Sequence, residues 1–440
     1  MSKTEEKNNL EKKEITSIKK NRRKKLFLKI LAGISLVVFL FVVITTGISL
    51  IGLKSNINKA KSFSNVGSRQ LKLENPENGY WNIYSDDGLK VLQLTDIHIG
   101  GGWMSMRKDS MALNAVAAII TAEKPDFVIV TGDIAYPVPF QAGTFNNKSG
   151  ARIFAELMES LGVYWTLSFG NHDTEAYSYY SRKDISNFYS SEKYPHCLFQ
   201  AGPEHVDGYG NQIINIVNSD EIIIRSFIIF DSHSYVDGDI FGIAWKYDNI
   251  HDNQIEWYKK SIEKLNNKNK NVISNINNND GGIYSGFQEC IPTSVFLHIP
   301  LTEYRDAWNE YANNDYQDTD NVKMIYGAAG ESGLIVYCGM NEDYLFETMK
   351  EIGSTDSVFC GHDHLNNFSV DYKGIRLTYS MSIDYLAYLG IYKLGAQRGC
   401  TVINVDKTGE IDFYAENYYQ DKYISKYQKE NVTMQQLGNN

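Results

Sequence analysis

Apolar positions along this chain form one long run and many short ones. The long run, Leu26–Leu53, is broken only by Lys29 and a few small polar residues. A stretch of about 20 apolar residues is enough to span a bilayer. The short runs mostly end on a carboxylate, an amide or an imidazole. Lys90–Thr95 is followed at once by Asp96-Ile97-His98, Asp126–Thr131 by Gly132-Asp133-Ile134-Ala135-Tyr136, and Val163–Phe169 by Gly170-Asn171-His172-Asp173. Ile222–Phe230 leads to Asp231-Ser232-His233, and Val295–Leu297 to His298-Ile299-Pro300. A last run ends in Phe359-Cys360-Gly361-His362-Asp363-His364, where two imidazoles one residue apart share a face of an extended segment.

Helical spacing at Met104–Glu123 and Ala151–Leu161 separates the first three runs. That order predicts parallel strands with helical crossovers, and functional loops at the carboxyl ends of the strands. Further strands are expected at Ile375–Ser380, Cys400–Val405 and Ile411–Tyr414, and helices at Asp252–Lys264 and near Glu342–Ile352. The Tyr/Ser-rich stretch Thr174–Gly210 is expected to cap the strand ends. The Asn-rich stretch Asn266–Asp280 is expected to be a mobile surface loop. The organisation expected is a basic tail (1–25), a transmembrane anchor (26–53), a polar stalk (54–79), one large domain (80–425) and a polar tail (426–440).

Charge changes this picture in two ways. Ten Lys and Arg precede the long apolar run, which orients the amino terminus to the cytoplasm and the large domain outward. The run is longer than the apolar core of a cleavable signal peptide and is followed by no convincing small-x-small cleavage site. Beyond residue 53 the chain carries 32 Lys and Arg against 49 Asp and Glu, a net charge of −17. Such a domain shows no basic footprint for nucleic acid. The five cysteines are irregularly spaced and include no CxxC, which argues against a disulfide framework and against a cysteine zinc site.

The strand-end residues Asp96, His98, Asp133, Asn171, His172, His298, His362 and His364 combine carboxylate, amide oxygen and imidazole. That donor set suits Fe, Mn or Zn. One carboxylate, Asp133, could bridge two ions, and a hydroxide on such a pair is a nucleophile for phosphoryl transfer at neutral pH. No Gly-x-Ser-x-Gly elbow competes for the role. His233, after a strand end, is a candidate substrate contact, whereas His251 reads as the polar start of a helix.

The ordered set Asp-x-His, Gly-Asp, Gly-Asn-His-Asp, His and Gly-His-x-His resembles that of the calcineurin-like metallophosphoesterases. The resemblance runs from about Lys90 to Val405. It is strongest to the short purple acid phosphatase-like branch, through Ile250–Trp257, Phe296–Leu301 and Arg398–Ile403. It implies an α/β (α+β) four-layer αββα sandwich with two metal ions at one edge. By the same resemblance, Asp96, His98, Asp133 and His364 would hold one ion, and Asp133, Asn171, His298 and His362 the other. His172 would contact the phosphoryl oxygens and stabilise charge or protonate the leaving oxygen.

One position departs from the family. Many members carry an aspartate three residues after the bridging one, orienting the catalytic histidine; here Tyr136 stands there. Purple acid phosphatases have a ligating tyrosine at that place but lack the histidine matching His98. His98 is therefore expected to ligate, with Tyr136 beside the ligands or an occasional ligand, and the orienter of His172 is left open. The function expected is a membrane-anchored, outward-facing hydrolase of phosphate monoesters. A phosphodiesterase or nucleotide hydrolase of the same fold, and a non-catalytic metal-binding surface protein, are the alternatives.

Overall fold

The short apolar runs become strands of two sheets. The computed structural model describes residues 3–239, 241–280, 290–388, 391, 398–418 and 429–430; the expected polar tail lies almost wholly outside them. In chain order the elements are α1 (Lys3–Ala60), β1 (Lys72–Glu77), β2 (Tyr80–Tyr84), β3 (Leu89–Leu94), α2 (Met106–Glu123), β4 (Phe127–Thr131), α3 (Pro139–Ala142), α4 (Asn147–Leu161) and β5 (Tyr164–Ser168). There follow α5 (Arg182–Tyr189), β6 (Gln212–Val217), β7 (Ile223–Ile229), α6 (Asp252–Asp280), β8 (Thr293–Phe296), α7 (Thr302–Asn313) and β9 (Val322–Tyr326). Last come α8 (Leu345–Ile352), β10 (Thr355–Cys360), β11 (Ser369–Tyr372), β12 (Ile375–Tyr379), β13 (Gly399–Val405), β14 (Ile411–Tyr418) and a two-residue β15 (Lys429–Glu430).

One sheet has nine strands in the order β1-β2-β6-β7-β8-β10-β12-β11-β9, the other six in the order β15-β14-β13-β3-β4-β5. As the strand–helix alternation predicts, β3, β4 and β5 pair in parallel, Val128 facing Leu92 on one side and Trp165 on the other. β7, β8, β10 and β12 are also parallel neighbours. The strand ends that carry the candidate residues therefore come from both sheets.

Three apolar layers show how the sheets stack. Val91, Phe127, Ile129 and Ile403 of the six-stranded sheet meet Ile214, Phe227, Phe296 and Phe359 of the nine-stranded one. Outside them, α2 and α4 cover the six-stranded sheet through Val116, Ile120, Phe154 and Leu157. Helices α6, α7 and α8 cover the other face through Tyr258, Tyr304 and Phe346. Fully burying one such side chain is worth about 1.5–3 kcal/mol. The result is a mixed α/β sandwich with helices on both outer faces.

The chain divides into two compact units, Met1–Ile51 and Gly52–Asn440. The first is helical and contains a segment long and apolar enough to cross a membrane, its large apolar side chains exposed. In the second, residues 54–79 are not the polar stalk the sequence suggests. Ile57, Ala60 and Phe63 are buried in the same apolar layer as Val116, Asn56 donates to Met106 O and Asp109, and β1 pairs with β2. A few apolar residues among polar ones suffice to dock the segment.

The Asn-rich stretch also departs from expectation, continuing α6 through Asp280 instead of looping out. Asn269 is 1% exposed and bonds both the N–H and the C=O of Ile223, and Asn266 accepts from Ile291 N. These amides satisfy backbone that would otherwise be buried without partners, and that offsets the weak helix propensity of asparagine. The stretch 174–210 is irregular apart from α5. Arg182 anchors it through Gly170 O, Thr174 Oγ1, Asp231 and Ser234.

Candidate metal centre

The exits of five strands converge at one edge of the sandwich. Asp96 and His98 follow β3, Asp133 follows β4, Asn171 and His172 follow β5, His298 follows β8, and His362 and His364 follow β10. The seven candidate ligands are each at most 9% exposed. Asp96, His98, Asp133 and His362 turn out of their strands at positive φ (50°, 54°, 54° and 79°), a region non-glycine residues enter at a cost of about 1–3 kcal/mol. Two glycines permit the close approach. A Cβ on Gly170 would lie 2.1 Å from Asp133 Oδ1, and one on Gly361 1.8 Å from Thr95 Oγ1.

The donor atoms fall into two overlapping groups. In the first, His98 Nε2 is 3.3 Å from Asp133 Oδ2 and 3.9 Å from Asp96 Oδ1, and His364 Nε2 is 3.6 Å from Asp96 Oδ1. In the second, His298 Nε2 is 3.3 Å from the same Asp133 Oδ2 and 3.1 Å from Asn171 Oδ1. His362 Nδ1 is 3.1 Å from Asn171 Oδ1. Ligands about 2.1 Å from one ion stand roughly 3–3.5 Å apart, so both groups have the spacing of a coordination shell, with Asp133 common to the two. Asp96 Oδ1 is fully buried with no hydrogen-bond partner. An oxygen left so is costly unless a cation meets it. The residues fit a pair of metal ions.

Electrostatics point the same way. Burial opposes charge on His98, yet Asp384 and Asp133 outweigh it and hold the ring well above the ordinary imidazole pKa. His298 is likewise buried, and Asp133 pushes it up to about 9. Around His98 and His298 the carboxylates thus favour positive charge, whereas burial and then the His298 charge hold His362 well below the ordinary imidazole pKa.

A second ring of contacts fixes each donor. Thr131 O lies 2.8 Å from His298 Nδ1; donation there leaves Nε2 free to ligate. Asp384 Oδ1 lies 3.1 Å from His98 Nδ1 and is itself held by the N–H groups of Leu386, Ala387 and Tyr388. Asn171 donates its amide to Tyr235 Oη, which turns Oδ1 inward. Asp173 accepts from the N–H groups of Asp133, Ala135 and Gly170, pinning the β4 and β5 exits together.

His172 stands beside the ligands with Nδ1 2.7 Å from Glu175 Oε1, and Tyr235 also donates to that oxygen. Its Nε2 is thereby available to the cavity above. Tyr136 packs its ring 4.6 Å from His98 and 4.8 Å from His172, while its hydroxyl donates to Gln141. His233 is placed elsewhere. At φ 63° it turns away from the β7 exit, stacks on His251 at 4.0 Å and bonds Gln254. It is not among the described residues lining the cavity.

Sequence reasoning missed Glu175 and Asp384. Glu175 follows the Gly-Asn-His-Asp motif by two residues. Asp384 is the first carboxylate after β12, a strand parallel to β10 and therefore ending at the same edge. The cavity over the cluster holds about 380 Å³, and its wall includes six tyrosines with Phe241 and Trp245.

Comparison with known proteins gives the family. The family described as calcineurin-like phosphoesterase matches residues 89–366. Probable inactive purple acid phosphatase 29 of Arabidopsis thaliana is 27% identical over 334 residues, covering 72% of this chain and 76% of that protein. Probable inactive purple acid phosphatase 14 of the same plant is 28% identical over 345 residues, covering 73% and 74%. Phosphatase DCR2 of Saccharomyces cerevisiae is 26% identical over 303 residues, covering 64% of this chain and 45% of that protein. Among solved structures, a dimetal phosphatase from Danio rerio aligns over 79% of this chain and 99% of its own, at 10% identity and a TM-score of 0.45.

Proposed function

This chain belongs to the calcineurin-like phosphoesterases, and on that premise we propose that it hydrolyses phosphate monoesters with two metal ions, Fe, Mn or Zn, at the strand-end cluster. Asp96, His98, Asp133 and His364 hold one ion, and Asp133, Asn171, His298 and His362 the other. Such ions, when bound, polarise a phosphoryl oxygen and lower the pKa of water. His172, oriented by Glu175, presents Nε2 to the phosphoryl group and supplies a proton or a hydrogen bond to the leaving oxygen. Asn171, held by Tyr235, keeps its amide oxygen in the cluster. The apolar segment at Leu26–Leu53 anchors the chain in a membrane, with the basic residues before it on the cytoplasmic side and the large domain outside.

The observation that carries this reading is the pair of donor groups sharing Asp133 Oδ2 at 3.3 Å from both His98 and His298, with His172 adjacent. A second reading has a specific support. Two relatives are named probable inactive, and a protein that keeps the metals for binding alone would share this cluster. The full chain, purified in maltoside without chelator, separates the two. About two metals per chain with hydrolysis of an aryl phosphate, both lost in Asn171→Ala, support the enzyme. Two metals with no turnover of any aryl mono- or diester support the binding protein, and preference for the diester selects a phosphodiesterase.

A further inference from the structure

The cavity above the cluster has a wall of unusual chemistry for a site that takes a phosphate. Among the described residues lining it there is no lysine and no arginine; the carboxyl side chains are Glu175, Glu331 and Asp363, of which burial pushes Asp363 well above the ordinary carboxylate pKa. Polyanionic substrates are recognised by bidentate arginines or by lysines, and the described residues of this wall offer neither. It offers rings instead. Trp245 and Tyr337 meet at 79° with centroids 6.4 Å apart, forming a corner of two π faces. Tyr247 stands on His362 at 4.3 Å and Tyr388 on His364 at 4.8 Å, so the aromatic wall is continuous with the ligand histidines. Glu331, 5% exposed, accepts from Leu365 N and Tyr388 Oη. Those two bonds leave its carboxylate with further acceptor capacity. Glu331, Trp245 and Tyr337 line the same cavity.

Trp245 is 66% exposed, so the corner opens to solvent, and rings at right angles with a carboxylate nearby form an environment that attracts an organic cation. We propose that this cavity selects phosphate monoesters whose alcohol carries a quaternary ammonium or protonated amine, and that Trp245, Tyr337 and Glu331 read that charge while the phosphate meets the strand-end cluster. The proposal rests on the phosphomonoesterase reading for its turnover and deepens it. In the reaction, water oxygen bonds to phosphorus, the P–O bond to the amino alcohol breaks, and a proton goes to the leaving oxygen. The products are inorganic phosphate and the free cationic alcohol.

The test sets phosphocholine against 3,3-dimethylbutyl phosphate, which has the same shape without the charge, using the full chain in maltoside. We expect kcat/KM for phosphocholine to exceed that for the isostere by about tenfold or more. In Trp245→Ala and Glu331→Gln we expect that ratio to fall toward one; the ratio, not either rate, is the readout. Choline itself, titrated by tryptophan fluorescence with and without chelator, is expected to bind about tenfold more tightly than 3,3-dimethylbutanol in both conditions. Equal kcat/KM for the two esters, equal binding of the two alcohols, or preference for a nucleoside monophosphate overturns the proposal. Hydrolysis of an aryl phosphate with no charge preference removes the cationic specificity alone. Choline binding without turnover of any ester removes the enzyme reading alone. Phosphatidylcholine vesicles separate a lipid headgroup from a soluble ester, and product released from vesicles but never from phosphocholine overturns the monoester assignment.

Discussion

Two places on this chain gather histidine with carboxylate, and their lone pairs are used differently. In the strand-end cluster, Asp96 Oδ1 is buried with no hydrogen-bond partner and the imidazoles are aimed inward from five strand exits. At His233, Asp248 and His251 the donor atoms are as close together, within 4.8 Å, but they are already spent. His251 gives one nitrogen to Asp207 at 2.8 Å and the other to Asp248 at 3.3 Å, and His233 bonds Gln254 at 2.9 Å. The rings of His233 and His251 stack at an interplanar angle of 18°. What separates the two is burial and the partnerless carboxylate oxygen: the strand-end group is buried with Asp96 Oδ1 unbonded, whereas His233, Asp248 and His251 are half-buried.

The sharpest way to break this comparison is to delete the shared carboxylate. Asp133→Ala is expected to remove most bound metal and to cut turnover of an aryl phosphate by roughly a thousandfold or more. His233→Ala should leave metal content unchanged, as read by elemental analysis of the purified full chain. Metal that survives in Asp133→Ala and disappears when His251→Ala is added would make the second cluster a site after all.

Smaller effects test the supporting contacts. His172→Ala should lower kcat by about 10²–10⁴-fold while metal stays bound, because His172 touches the cluster without joining it. Asp384→Asn should weaken metal affinity by about 10–100-fold, measured by competition with a chelator, since it keeps the shape of the side chain and removes the charge beside His98. Glu175→Gln should cost less than His172→Ala in kcat and leave metal affinity alone; a drop in metal content would mean that Glu175 supports the ligands and not His172.

What was legible in the sequence follows from the same physics. Candidate ligands could be read because few residue types bind these metals and because parallel strands deliver their exits to one edge, so Asp96, Asp133, Asn171 and His298 stood out at the ends of apolar runs. Glu175 and Asp384 could not be read as easily. A carboxylate that steadies a ligand needs only to arrive in space, and Asp384 comes to His98 from 286 residues downstream through β12 and the turn after it. The docking of residues 54–79 was hidden for another reason, since the few apolar side chains that dock, among them Ile57, Ala60, Phe63 and Leu71, are scattered among polar ones. In Asn266–Asp280 composition pointed to a loop, while tertiary hydrogen bonds from Asn266 and Asn269 made a helix.

The smallest expected effect concerns the second cluster as an ion-pair clamp between the 207 loop and the start of α6. The hydrogen bond to Asp248 does most to raise the His251 pKa, burial works against it, and Asp207 adds to it, with the result pushed to about 9 from an ordinary 6.5. A raised imidazole pKa means the folded state binds the proton more tightly, so the clamp's contribution is complete below about pH 6.5 and fades as pH rises through 9. The side chain is 35% exposed and Asp207 54%, so solvent screening keeps the contribution below about 1 kcal/mol. His251→Gln should therefore lower the melting temperature by roughly 1 °C at pH 6 and by nothing measurable at pH 10. Asp207→Asn should show the same trend at reduced size. A destabilisation that grows with pH would reverse the assigned sign, and one that appears only after chelator is removed would return His251 to the metal ligands.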